Sequence, residues 1–380
     1  MGNNVKYNIY ADNAATTVMY PEVVDVMRSY FVDDFYNPSA LYRQASRIRR
    51  QLKWARMAIA NQISAQPEEI YFTSGGSESD NWALKGVVSA EGENTEILTS
   101  QIEHHAILNT CAYLERKGYA VTRVPVSRTG IVDRRAYELA LKNVNSPLLV
   151  SIMMVNNEIG AIQPIKELAL QAKNADAYFH TDAVQAMGHI PIDVNELHVD
   201  MLSASAHKFH GPKGIGFLYI RNGVKVDPLI HGGNQEFGMR AGTENISGIV
   251  GMVKALEISC QNMQQDRKHI AEVRNVFLHA MQETGLDYQI NEAESNVEGT
   301  ISLSIKGVNG EMLVNRLDLL GIAVATGSAC NSSSMELSSV IKALGIPMEY
   351  AMGTIRISFG RDNTAEEAII VAEEIAKICE

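Results

Sequence analysis

Between residues 68 and 220, short runs of β-branched and other apolar residues alternate with amphipathic stretches. This is the pattern of a parallel sheet whose connections are helices. The runs predict strands over residues 69–73, 96–99, 148–155, 177–180, 201–205 and 216–220. Each ends beside polar residues, and in sheets of this kind chemistry collects at the carboxyl ends of the strands. From 245 to 283 breakers are few and apolar positions recur at helical spacing, which predicts a long helix leading away from the sheet. Residues 286–380 carry strand patterns at 300–304 and 353–358 and helical patterns at 310–320 and 364–379, as expected of a smaller α+β unit. No Pro- or Gly-rich linker marks the boundary, which is expected near residue 260.

Composition narrows the functional classes. The 380 residues include 33 Lys+Arg and 44 Asp+Glu, so 33 − 44 leaves a net charge of −11. That balance, without a basic block, argues against nucleic acid or an anionic membrane as partner. Apolar residues at 46% and charged residues at 20% are ordinary for a folded globular chain. No apolar run approaches the roughly 18 residues that span a bilayer; the run at 148–155 is already interrupted by Ser151. The first ten residues show no basic segment followed by an apolar run, so no export signal is read and a cytoplasmic location is expected. Cys111, Cys260, Cys330 and Cys379 form no CxxC pair, which disfavours a disulfide framework and a zinc site. No metal is expected.

Three segments carry candidate chemistry. Lys208 follows a predicted buried strand and precedes a glycine-rich turn, where desolvation lowers an amine's pKa toward nucleophilic use; the alternative is a solvated turn lysine. In His180-Thr-Asp-Ala-Val-Gln185, Asp182 stands at a strand end, placed to keep the ring nitrogen of a pyridoxal cofactor protonated or simply to form a turn. Phe72-Thr-Ser-Gly-Gly-Ser77 joins a strand to a helix start; Gly75, Gly76 and Ser77 there form either a phosphate cradle or an ordinary helix cap. It is neither a Walker A loop nor GxGxxG. Cys330 lies in the small, polar stretch Gly327-Ser-Ala-Cys-Asn-Ser-Ser-Ser334, where packing gives it no role. Cys111 and Cys260 are read as core fillers.

These segments and their order resemble the class V pyridoxal-phosphate enzymes, and more closely the NifS/IscS-type cysteine desulfurases. The resemblance runs from Tyr10-Ala-Asp-Asn-Ala-Ala-Thr-Thr17 and Asn37-Pro-Ser39 through Thr73-Ser-Gly-Gly-Ser-Glu-Ser-Asp-Asn81, Glu103-His-His105, Val155-Asn-Asn-Glu-Ile-Gly160 and His180-Thr-Asp182. It continues through His207-Lys208 and Arg240-Ala-Gly-Thr243 to Gly327-Ser-Ala-Cys330 and Arg356-Ile-Ser-Phe-Gly360. It implies an α/β fold of pyridoxal-phosphate type I: a large domain over 15–260 with a mostly parallel seven-stranded sheet, and a smaller α+β domain from 1–14 and 261–380.

It also implies site residues. Pyridoxal 5'-phosphate would be bound covalently by Lys208, with Asp182 on its ring nitrogen, His104 stacked on the ring as an acid or base, and Gln185 and Asn157 on ring substituents. Gly76, Ser77, Ser205 and His207 would hold the phosphate, with Thr243 reaching in from the second subunit of a homodimer. Arg356 and Asn157 would bind L-cysteine, and Cys330 would take its sulfur as a persulfide and pass it to an acceptor, such as an iron–sulfur scaffold or a tRNA-thiolation enzyme. The alternatives are a class V aminotransferase or selenocysteine lyase using the same Lys208 and Asp182, or a silent scaffold. The chain departs from the family pattern at Asn37-Pro-Ser-Ala-Leu-Tyr42 and at Met335-Glu-Leu337.

Overall fold

The computed structural model describes residues 6–144, 148–326 and 337–380. Strand β1 (Ile9–Tyr10) leads into α1 (Pro21–Val32) and α2 (Arg43–Ile63). The alternating region follows as β2 (Ile70–Thr73), α3 (Gly76–Glu91), β3 (Glu96–Ser100), α4 (His105–Arg116), β4 (Val121–Val124), α5 (Arg134–Lys142), β5 (Leu148–Ser151), α6 (Ile165–Asn174), β6 (Tyr178–Asp182), β7 (Met201–Ser205) and β8 (Gly216–Ile220). These strands form one seven-stranded sheet in the order β2-β8-β7-β6-β5-β3-β4. Only β8 runs antiparallel to its neighbours; the remaining pairs are parallel. The mostly parallel architecture expected from the alternation is therefore present.

Period-two alternation assigns each strand residue to one of two cores. Phe217 and Tyr219 of β8, Leu202 and Ala204 of β7 and Val150 of β5 pack with α1, α2, α6 and the start of the long helix. Their neighbours Leu218, Ile220, Met201 and Leu149 pack against Trp82, Leu84 and Val87 of α3 and Ile107, Cys111 and Leu114 of α4. On this α3 side the apolar pattern stops toward the carboxyl ends of the strands. Ser151, His180, Asp182, Ser203 and Ser205 take over, all buried.

In the large sheet β6 runs on to Asp182, and the readings at β5 and β4 differ as well. The apolar run at 148–155 is a strand only as far as Ser151, because β3 ends at Ser100 and no longer offers a ladder. Ile152 and Met154 still donate backbone N–H to His180 and Asp182, but Met153 N–H turns to both oxygens of Glu103. The short β4 lies at the sheet edge, with only Val124 buried, so its sequence signal is weak.

Helix α7 (Ile246–Glu283) has 38 residues, about 57 Å at the usual rise, and residue 260 falls inside it. Ile249, Met252, Val253 and Leu256 belong to the large core, whereas Val273, Phe277 and Met281 belong to a second core. The chain continues through β9 (Tyr288–Ile290), β10 (Thr300–Ile305), α8 (Gly310–Leu319), β11 (Ile322–Ala323), β12 (Ala325–Thr326), α9 (Ser339–Leu344), α10 (Met348–Ala351), β13 (Thr354–Ser358) and α11 (Ala365–Cys379); β10, α8, β11, β13 and α11 supply most of the second core, whereas α9 and α10 pack with Ile102 and Ile159 in a smaller cluster. Four of these strands form a sheet in the order β12-β13-β10-β9, and β1 pairs with β11, tying the amino terminus to this unit. Ile355 and Ile357 face the second core with Ile301 and Leu303. The opposite face is polar: Thr354, Arg356 and Ser358 lie across from Ser304, Ser302 and Thr300. No described helix is long and apolar enough to cross a membrane.

Candidate active site

A cavity of about 590 Å³ opens where the polar strand ends of the large sheet meet the polar face of the small one. Its lining includes His104, Asn157, Asp182, Gln185, Ser205, His207, Lys208, Gly76, Ser77 and Arg356. The structure thus brings together every site residue expected from the sequence except Thr243 and Cys330. Thr243 is exposed and borders a separate hollow of about 170 Å³ with Ser74, Gly214 and Arg240. Cys330 lies outside the described residues.

Lys208 ends a short turn directly after β7. Its Nζ donates to the carbonyls of Ala14 and Ala15 at 2.7 and 2.8 Å, and Gln185 Nε2 donates to the same Ala14 carbonyl at 2.9 Å. The 10–17 segment is strapped across this point, with Thr17 N–H bonded to His207 O and Ala14 N–H to Ser358 Oγ. The lysine's carbonyl partners come from the far end of the chain, and nothing in its local sequence announces them.

Asp182 ends β6, 4% exposed, and its Oδ1 accepts Val184 N–H at 2.9 Å. Burial raises its pKa, opposed by His104, the Val184 bond and Lys208. His104 is the N-cap of α4, where its Nδ1 accepts Ala106 N–H at 3.1 Å. That bond puts the proton of the neutral ring on Nε2. Burial lowers the His104 pKa, with the Asp182 charge opposing. His104 therefore offers the cavity a neutral, oriented ring.

At the start of α3 the chain is squeezed between strands. A Cβ on Gly76 would come within 2.6 Å of Val184 Cγ2, and one on Gly216 within 2.3 Å of Ala204 O; Gly75 has φ +147°. These positions admit only glycine as placed. The first amides of α3 have no acceptor within the helix, and with Ser77, Ser205 and His207 they form an anion cradle. His207 Nδ1 meets Thr16 Oγ1 at 3.1 Å; burial and then Lys208 and Lys213 lower its pKa to about 4, so it is neutral there.

Arg356 faces the cavity from β13, 4% exposed. Its terminal nitrogens donate to Asp12 Oδ1 at 2.7 Å and to Asn157 O at 3.0 Å, while Nε is buried without a hydrogen-bond partner. A buried cation with an unused donor is suited to an incoming carboxylate.

The described residues on either side of the segment 327–336 border the site. Ala325 of β12 is paired with Arg356. After the segment, Ser338 caps α9 and its Oγ donates to Glu158 Oε2 at 2.5 Å, and Ser339 lines the cavity. Burial pushes Cys111 up to about 12 and Cys260 to about 11, and raises Cys379, which leaves these three thiols protonated and poorly nucleophilic at neutral pH. Asp12, Asp80, Glu103 and Glu158 were not singled out in the sequence, although each stands in a motif quoted above; their burial and partners, not their spacing, mark them.

The aminotransferase class-V family model matches residues 9–370. The cysteine desulfurase IscS of Dictyoglomus turgidum is 45% identical over 99% of this chain and 95% of its own. That of Methanosarcina thermophila is 44% identical over 97% and 91%. A solved NifS-like protein superposes with a TM-score of 0.91 at 37% identity, covering 98% of this chain and 99% of its own. With likeness of this depth over nearly its whole length, the chain belongs to the aminotransferase class-V family and, within it, to the NifS/IscS-type cysteine desulfurases.

Proposed function

We propose that this enzyme converts L-cysteine to L-alanine with a pyridoxal 5'-phosphate bound at Lys208, and that the sulfur leaves on Cys330 as a persulfide. The single observation that carries the reading is the meeting of Lys208, Asp182 and Arg356 in one cavity, since these supply an amine, a ring-nitrogen partner and a carboxylate grip. The residues fit the cofactor: the first amides of α3 with Ser77, Ser205 and His207 form an anion cradle on the cavity wall, and a neutral His104 offers a ring face. When bound, the cofactor supplies a conjugated pyridine ring that accepts electrons from the substrate's α-carbon.

The chain's own groups do the rest. Asp182 keeps the ring-nitrogen proton in place, and Gly76, Ser77, Ser205 and His207 hold the phosphate. Arg356 grips the substrate carboxylate and, with Asn157, sets its orientation. Lys208, released from the Ala14 and Ala15 carbonyls, moves the α-proton, and His104 serves as a nearby acid or base through Nε2. The Cys330 thiolate attacks the substrate sulfur. An S–S bond forms, the C–S bond breaks, and the electron pair left on carbon takes a proton to give the alanine methyl. Enzyme thiol plus cysteine thus becomes enzyme persulfide plus alanine, with no outside oxidant or reductant. The persulfide passes to a thiol on an acceptor protein of iron–sulfur assembly or tRNA thiolation. Thr243, exposed and outside its own cavity, is assigned to the phosphate cradle of the partner in a homodimer.

Peptide mass spectrometry tests both covalent claims. Borohydride reduction should leave the cofactor mass on Lys208, and incubation with L-cysteine should leave added sulfur on Cys330. Sulfur found only on Cys111, Cys260 or Cys379 would overturn the assignment.

A further inference from the structure

Asp80, on α3, is a second acid in the cavity that the mechanism above does not use. It is 1% exposed and its Oδ1 accepts no hydrogen bond. One carboxylate oxygen of Asp80, one of Asp182 and one ring nitrogen of His104 all lie within 4.8 Å of each other. Among the described residues, the ion-pair neighbour of Asp80 is a histidine. His180 Nε2 is 3.8 Å away, but that nitrogen meets Ser203 Oγ at 2.9 Å and Nδ1 meets Ser151 Oγ at 2.9 Å. Burial lowers the His180 pKa to about 3, so the ring is neutral. Glu103, before α4, is a buried acid and adds no positive charge. Lys208, after β7, directs its amine at the Ala14 and Ala15 carbonyls.

Two carboxylates this close in a dry site do not both ionise. Asp182 has the Val184 N–H on its Oδ1 and the Lys208 charge nearby, both favouring its charged form, whereas Asp80 has a Ser203 hydroxyl and an Oδ1 without a donor. We propose that Asp80 is a positioning residue that works as a neutral carboxylic acid beside an ionised Asp182, so that the pair offers one negative charge to the ring nitrogen. The inference deepens the reading above and rests on Asp182 facing that nitrogen. Burial and then the Asp182 charge raise the Asp80 pKa well above the carboxylate range, against a hydrogen bond from Ser203. A neutral acid leaves Asp182's charge in place without adding a second one that would draw the ring proton more tightly.

The test replaces the acid with its neutral isostere. Asp80→Asn should bind pyridoxal phosphate within about threefold of wild type and keep the cofactor's visible absorbance unshifted. In the cofactor-free protein at neutral pH, infrared difference spectra should lose one protonated-carboxyl band on that substitution, a band separate from the one removed by Glu103→Gln. A drop in cofactor affinity of about tenfold or more, or no lost band, would overturn the proposal. Should Asp80→Asn fail to fold, Asp80→Ser carries the same two readouts. If wild type itself bound no cofactor, the functional reading would fall, while the infrared measurement would still decide the state of Asp80.

Discussion

Replacing Arg356 with lysine probes the substrate grip. The guanidinium is held by Asp12 at 2.7 Å and by the Asn157 carbonyl at 3.0 Å, with Nε to spare. A carboxylate entering the cavity meets a cation already fixed in place, so little further ordering is needed. Lysine keeps the charge but has no planar fork, and it cannot serve Asp12, Asn157 and the carboxylate with the same alignment. Losing one charge-assisted hydrogen bond costs about 1.5–3 kcal/mol. At about 1.4 kcal/mol per tenfold, kcat/KM for L-cysteine should fall by about 10- to 150-fold. The loss should fall mainly on KM, because the carboxylate is gripped in the ground state as well as the transition state. The assay is alanine formation over a range of L-cysteine concentrations, with cofactor content followed by absorbance. Cofactor content should stay full, since Arg356 stands on the small sheet while the phosphate cradle lies on the large one. A kcat/KM within about twofold of wild type would refute the assignment.

Two further outcomes follow from packing and burial. Gly76→Ala places a methyl group 2.6 Å from Val184 Cγ2, an overpacking of about 1–3 kcal/mol, and should weaken cofactor binding by about tenfold or more; adding Val184→Ala should recover most of it, and no recovery in titrations would discard the steric account. Glu103, buried and bonded by Ser100 and Met153, has its pKa raised from 4.5 to about 8, chiefly by burial. The folded state therefore holds a proton that the unfolded state releases, and stability declines as pH climbs from about 4.5 to about 8; Glu103→Gln should flatten that part of the melting-temperature profile, and an unchanged slope would show Glu103 ionised.

The parallel sheet was legible because strand signals are local. Residues 201–205 and 216–220 announce β7 and β8 by their own apolar runs, and the α/β alternation around them requires no knowledge of distant partners. The positions of Lys208, Asp182 and the glycines at the start of α3 were legible for the same reason, since each stands at or just after a strand that can be read from its neighbours, while their roles rested on the resemblance. What lay beyond local reading was the end of β5. Whether a run continues as strand depends on the next strand, and β3 stops at Ser100, where Glu103 takes over the Met153 amide.

The sequence by itself placed Asp182 at a strand end and Lys208 just beyond one, and its resemblance to the class V enzymes implied an amine, a ring-nitrogen partner and, in Arg356, a carboxylate grip. Only the tertiary structure decided what each one meets. Lys208 is held by carbonyls 193 and 194 positions away, Arg356 by Asp12 across 344 positions, and Asp80 is left with a bare oxygen beside Asp182. Periodicity along a chain encodes the face a residue presents, because backbone geometry repeats every two or 3.6 residues. The charge state and partners of a buried group are set by atoms that approach through space, and no local pattern records that approach.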